Sequence, residues 1–166
     1  MITWADLTPT LLEVAGVGVD PDRFAGRSFR EGLDGAGLPG RDEVFASHTF
    51  HEVTMHYPMR VVRTRRYKLI HNLASSLPFP SALDLVKSPT WIGATKSEAK
   101  MLGIRSVAQF LHRPEFELYD LLSDPDEVKN LADAVGMQTV KAESVEKLKA
   151  FQASIKDPWI KKWIYE

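Results

Sequence analysis

A chain of 166 residues with 44% hydrophobic and 10% aromatic content carries enough apolar material for one ordinary core. Its net charge of -1 gives no whole-molecule field that would recruit nucleic acid or an acidic membrane surface, so any anionic ligand must be held by local groups. The absence of cysteine excludes disulfides, thiolate metal sites and a cysteine nucleophile, and no apolar run reaches the ~18 residues of a spanning helix.

Leu7, Leu11, Leu12 and Ala15 recur at helical spacing and predict a helix within residues 4–15, closed by Gly16 as its C-terminal cap. Its start is open between two signals, Thr3 with Asp6 as a capping box and Thr8 before Pro9 as an N-cap and first position. No basic segment followed by an apolar signal core precedes it, so the chain is expected to begin in the middle of a longer structure. Residues 16–42 are rich in glycine and charge and read as a long connection, with a short turn around Ser28 to Leu33. A small domain rarely needs such a loop, which suggests that it crosses another surface.

From Glu43 the pattern becomes that of strands: EVFASHTF, then MRVVRTRRYKLIHNL breaking near Thr64 to Arg66 into a hairpin, and later FELYDL. Residues 73–114 read as an insertion with a helix near Ser97 to Gly103 or Val107 to Leu111. Asp124-Pro125 marks a turn, with Asp124 as N-cap of a short helix. A clearer helix runs from about Thr139 to Ile155, its stripe formed by Val140, Val145, Leu148, Phe151 and Ile155. The aromatic ending DPWIKKWIYE is expected to pack down. The fold class is therefore α+β, a small antiparallel sheet of about four strands packed on a C-terminal helix.

The chemistry concentrates in SHTFHEVTMHYPMR, residues 47–60, which holds three of the five histidines. A zinc protease places HExxH on a helix so that both histidines share a face. Here His51-Glu52 is followed by His56, one residue too far, and the β-branched residues and Pro58 oppose a helix. An extended chain would put His48 and His51 on opposite faces. Two other readings stay open for this stretch, hydrogen-bonded histidines at a strand-to-loop junction or a substrate-contact loop at a pocket mouth. Arg63, Arg65 and Arg66 fit the solvated face of a hairpin better than an oxyanion site, whereas Arg60 adjoins the histidines. No GxSxG elbow occurs, GLDGAGLPG lacks the ending of a phosphate loop, and Asp124, Asp126 and Glu127 suit a turn and cap.

Several segments resemble sulfatases in family order: DLTPTLLEVAG (6–16), GRSF (26–29), ELYDLLSDPDEVKNLA (117–132) and DPW (157–159). HEVTMHYPMRVVRTRRYKLIHNL (51–73), PFP (78–80) and SPTW (88–91) are similar to the sulfamidase branch in particular. The resemblance implies that residues 1–42 are the tail end of an N-terminal α/β domain of the alkaline-phosphatase type, and residues 43–166 the smaller C-terminal domain. It also implies that the nucleophile, a formylglycine activated by a divalent cation, lies elsewhere. The precursor motif of Cys or Ser followed by x-Pro-x-Arg does not occur, and the nearest string, Ser76-Leu77-Pro78-Phe79-Pro80, lacks the arginine.

On this resemblance no catalytic or metal residue carries over, no cofactor is expected in this chain, and calcium is expected in the absent N-terminal domain. His48, His51, Glu52, Tyr57 and Arg60 are expected to contact a sulfated sugar, with Met59 shaping the pocket. The expected partner is the catalytic domain, with neither nucleic acid nor membrane involved. A homo-oligomer through an exposed helix 6–15 is a further possibility, and a free-standing binding module from a truncated or split gene is the alternative. A small histidine-dependent metalloenzyme is a third reading.

Overall fold

The computed structural model describes residues 1–52, 55–98 and 100–164; Val53 and Thr54 of the histidine-rich stretch lie outside the described residues. A turn of 3-10 helix, Trp4–Asp6, leads into α1 (Leu7–Val14). The capping pair decides between the two start signals: the Thr3 N–H donates to Asp6 Oδ2 at 2.9 Å. Gly16 closes the helix at φ +75°, a conformation that costs glycine little, and the Val17 N–H reaches back to the Leu12 carbonyl.

The connection that follows is tied to this helix by polar contacts. Asp6 accepts the Arg27 N–H at 2.7 Å and the Arg41 guanidinium at 3.1 Å, and Arg41 also donates to the Arg27 and Ser28 carbonyls. Burial would raise the Asp6 carboxyl, but the Thr3 and Arg27 N–H groups and the Arg41 charge outweigh it and hold it below its usual value. A short α2 (Arg30–Leu33) stands where a turn was expected. Gly26 is required by close approach, because a Cβ there would lie 2.2 Å from the backbone carbonyl of Ala5. Gly26→Ala is therefore expected to cost about 3 kcal/mol, the upper end for overpacking, and urea unfolding of the variant measures it.

Among the described residues six strands follow, and four of them, β1 (Glu43–Phe50), β2 (His56–Thr64), β3 (Tyr67–Asn72) and β6 (Phe116–Asp120), form one antiparallel sheet in the order β1-β2-β3-β6. Valine, tyrosine, phenylalanine and isoleucine fill these strands because branched and aromatic side chains pack well on a pleated surface. Arg65 and Arg66 make the tight β2–β3 turn, stabilised by Thr64 Oγ1, which accepts the Tyr67 N–H at 2.9 Å. Arg65 pairs with Asp42 at the surface, as expected for the solvated end of a hairpin, and the exposed Arg66 reaches the buried Asp120.

Register places Val62 opposite Leu69 and Leu69 opposite Leu118, and this face forms the core with Leu148 and Ala132. α6 (Gln138–Ser154) covers it, within a residue of the predicted bounds, and Phe151 stacks on Phe45 at 4.2 Å. Buried on α6 are Ser144, Leu148 and Gln152, while Ile155, assigned to the stripe, lies just past the helix and is exposed. A final 3-10 helix, Pro158–Trp163, starts from Asp157 as cap and packs down. Its Trp163 donates to Gln152 Oε1 at 2.7 Å.

Of the two places expected for a helix in residues 73–114, Val107–Leu111 is helical, whereas near the other β4 (Met101–Leu102) and β5 (Arg105–Ser106) make a small hairpin around Gly103 at φ +61°. The helices of this region are α3 (Leu83–Val86), α4 (Pro89–Lys96) and α5 (Val107–Leu111), the last of which was expected. α4 begins at Ser88-Pro89, an N-cap and first-position pair. No helix follows Asp124, whose carboxylate instead accepts the Val128 and Lys129 N–H groups. Asn130 then satisfies the outer edge of β6, accepting the Leu118 N–H and donating to the Phe116 carbonyl, both at 2.9 Å. An edge that demands partners overrides the local helical preference.

Candidate functional site

The described residues of the histidine-rich stretch lie at the tip end of the β1–β2 hairpin. The pairing is regular to His48 opposite Met59 and then shifts at a bulge, so that Phe50 faces His56. Beyond Phe50 the chain turns, with the Met55 N–H donating to the Glu52 carbonyl at 2.9 Å. A bulge followed by a turn breaks strict alternation, so the sequence argument about opposite faces does not extend to His51. His51, Glu52 and His56 are exposed and His48 is half-buried. His48 Nδ1 lies 3.0 Å from the Tyr57 carbonyl. A carbonyl only accepts, so Nδ1 is the donor and Nε2 is left to meet a ligand. The His56 ring sits 5.5 Å from the ring of Trp159.

Beneath the tip is an ion pair that the sequence did not reveal. Arg60 is 4% exposed and Asp157 5%. Arg60 Nε and Nη2 donate to the two oxygens of Asp157 at 2.5 and 3.0 Å. Its Nη1 donates to the carbonyls of His48 and Met59 at 3.1 and 2.8 Å. Four of the five guanidinium N–H groups are thus engaged within the chain. Asp157 also accepts Gln152 Nε2 and the Trp159 N–H. Burial would raise its carboxyl, but these hydrogen bonds and the Arg60 charge outweigh that and hold it below its usual value. The pair clamps the base of the tip to the C-terminal 3-10 helix, and so sets His48 and Trp159 relative to each other.

The five expected contact residues therefore divide. His48, His51 and Glu52 stand at or near the surface. Tyr57 and Arg60 are buried and act as supports. Tyr57 meets Phe79 edge-on at 5.1 Å, and Met59 lies against the Arg113 guanidinium. Burial, more than the nearby charges, raises the Tyr57 hydroxyl above its usual pKa. The sequence reading missed Asp157 and Trp159 as parts of the site, although Asp157-Pro158-Trp159 had the form of a helix cap. Among the described residues, no group of three or more His, Asp or Glu converges as a metal site, and no helix is long and apolar enough to cross a membrane.

No family model matches the chain. It is 32% identical over 170 residues to human N-sulphoglucosamine sulphohydrolase, covering 96% of this chain and 34% of that protein. It is 29% identical over 151 residues to the ulvan-active sulfatase of Formosa agariphila, covering 85% of this chain and 26% of that protein. The solved structure of a 2-O GAG sulfatase superposes with a TM-score of 0.62 at 25% identity, covering 93% of this chain and 25% of the other. The chain thus spans about a third or a quarter of the length of the relatives it matches. The matches extend over most of the sequence and agree with the four-stranded sheet, its helix and the motifs that run from Asp6 to Trp159: the chain belongs to the sulfatase family.

Proposed function

We propose that this chain is the C-terminal part of a sulfatase acting on sulfated sugars, and that its hairpin tip forms one wall of the substrate pocket. The observation that carries the reading is the clamped tip: exposed His51, Glu52 and His56, half-buried His48, and beneath them the buried Arg60–Asp157 pair. Imidazole N–H groups can donate to sulfate or sulfamate oxygens and a carboxylate can accept from ring hydroxyls, and a rigid support lowers the cost of ordering them. The human relative's name points to an N-sulfated glucosamine as the sugar. In this reading the nucleophile and its calcium ion belong to a part of the enzyme outside this chain, and residues 43–166 form the C-terminal domain. Residues 1–42 lead into that domain and lie against the catalytic part.

α1 supports this arrangement. Trp4, Leu11 and Val14 are exposed, Leu11 at 64%, while the helix turns Asp6, Pro9 and Thr10 inward. An apolar face of this kind suits a covering surface, and the remainder of a sulfatase would provide it. A second copy of the chain is the competing occupant. Sedimentation at increasing concentration separates the two, since self-association that Leu11→Glu abolishes favours the second copy. The functional reading is tested by sulfate release from N-sulfoglucosamine. The chain alone is expected to release none above buffer even with calcium present, and turnover by the chain alone would overturn the assignment.

A further inference from the structure

The outer face of the sheet, opposite α6, holds a cavity. Lys68 and Ile70 of β3 and Glu117 and Tyr119 of β6 floor it, and residues 105–114 with 127–130 wall it, enclosing about 410 Å³. That volume lies within the ~300–1,000 Å³ typical of small-molecule sites.

Its polar groups divide by type. Glu117 is 9% exposed and accepts from Asn72 Nδ2 at 2.7 Å and from the Tyr119 hydroxyl at 2.5 Å. It is a carboxylate held by neutral donors, with lone pairs left for hydroxyl groups. The walls are cationic. Arg105 gives Nη2 to the carbonyls of Asp126 and Glu127, and among the described residues its Nε and Nη1 have no partner. Arg113 Cζ lies over Phe79, 4.0 Å from the ring centre; its Nε and Nη1 make only long contacts, to the Phe110 carbonyl at 3.4 Å and to Met59 Sδ at 3.8 Å. Lys68 pairs with Glu127. Three cations, Lys68, Arg105 and Arg113, face two carboxylates, Glu117 and Glu127, which leaves an excess of one positive charge. Phe110, Ile70 and Val128 add an apolar panel.

We propose that this cavity binds an acidic sugar unit, a hydroxylated ring bearing one carboxylate or sulfate group. The guanidinium groups would take the anion, which they suit by their paired donors. Glu117 and Glu127 would accept ring hydroxyls, and the ring's apolar face would lie on Phe110. A neutral sugar leaves the excess charge unmatched, and a multiply charged anion would press against the two carboxylates. The site is lined by residues distinct from His48, His51, Glu52 and His56, and it does not depend on the hairpin tip binding substrate.

The test is a titration of the isotope-labelled full chain with sodium glucuronate, followed by NMR at the Arg105 and Arg113 side chains and at Gln109. Saturable shifts are expected with glucuronate and at least tenfold weaker binding with glucose. Gln109→Glu keeps an acceptor for the Ser106 N–H, which Gln109 Oε1 holds at 2.9 Å, while adding a negative charge to the wall. It is expected to weaken glucuronate binding at least tenfold with the fold intact, and Arg105→Gln to do the same. A sulfated, uronate-containing tetrasaccharide binding tenfold tighter than glucuronate identifies the ligand as a unit of a polymer, whereas equal affinity identifies a free sugar acid. Equal response to glucose and glucuronate, shifts that do not saturate, or glucuronate binding unchanged in Gln109→Glu would each overturn the proposal. His51→Ala is expected to leave this binding unchanged, so failure here and failure of the hairpin reading are separate results.

Discussion

Replacing Asp157 with alanine is expected to destabilise the chain by about 3–5 kcal/mol, the usual cost of leaving one member of a buried ion pair without its partner. The geometry argues for the full value. Arg60 is 4% exposed, so its charge has little solvent contact to offset the two carboxylate contacts that disappear. Gln152 Nε2 and the Trp159 N–H lose an acceptor as well. Domains of this size are stable by only ~5–15 kcal/mol, so the variant stands near the edge of folding. The double variant Arg60→Met/Asp157→Leu is expected to recover most of the loss, because a well-packed apolar pair avoids the desolvation that both charges carry. Urea unfolding of Arg60→Met, Asp157→Leu and their double variant gives the coupling energy directly. Single-variant losses below ~1 kcal/mol that simply add would show that the clamp is not a unit. The depressed Asp157 carboxyl adds a pH dependence with a definite sign. Its contribution is present above the ordinary carboxylate value of 3.8 and is lost as pH falls through the lower folded value.

His71 is expected to make the fold acid-sensitive in a higher window. It stands opposite Arg60 in the sheet, its ring 4.6 Å from Phe116 and 4.3 Å from Trp163. Among the described residues its buried Nδ1 has no hydrogen-bond partner. Burial, then the charges of Lys162 and Arg60, push its pKa from 6.5 down to about 4. Glu115 lies 3.7 Å from Nε2 but is 58% exposed, so solvent screens it and it does not offset the burial. A lowered folded pKa means that the unfolded chain takes up the proton first as pH falls. Stability is therefore complete above pH 6.5, declines between 6.5 and about 4, and levels off below. The difference of 6.5 − 4, about 2.5 units, corresponds to roughly 3 kcal/mol at 1.36 kcal/mol per unit. The depressed carboxyls of Asp6, Asp42, Asp120, Asp124 and Asp157 titrate below 3.8, which keeps the two windows apart. Urea midpoints at pH 7.5 and 4.5 are expected to differ strongly in the native chain and much less in His71→Phe. An equal difference in both would remove His71 as the cause.

The strands were legible because alternation and β-branched content in EVFASHTF, MRVVRT and FELYDL agree with the pleat that forms, although β2 begins three residues earlier, at His56. α6 was legible because its apolar positions recur at helical spacing. Both signals are local. Residues 89–96 were missed because the α4 sequence PTWIGATK has no apolar stripe, and only the Ser88-Pro89 start pointed to a helix. The helix expected after Asp124 gave way to a demand from outside the segment, the unpaired edge of β6 that Asn130 satisfies. The same limit applied at the site. Arg60 was expected to face a ligand because it adjoins three histidines, but its partner Asp157 lies 97 residues away, and no local pattern records that distance. Asp6 was read as a cap, which it is, while its ion pair with Arg41 went unseen for the same reason.

The central claim is that the hairpin tip of this chain meets a sulfated sugar whose chemistry is performed elsewhere, and the histidine ring signals test it most directly. On titration with N-sulfoglucosamine the ring resonances of His48, His51 and His56 are expected to shift with saturation, weakly in the isolated chain, and at least tenfold less with glucosamine. Buried His71 is expected to stay in place as the internal reference. Shifts absent at all three tip histidines up to tens of millimolar sugar, or identical with the unsulfated sugar, would contradict the account.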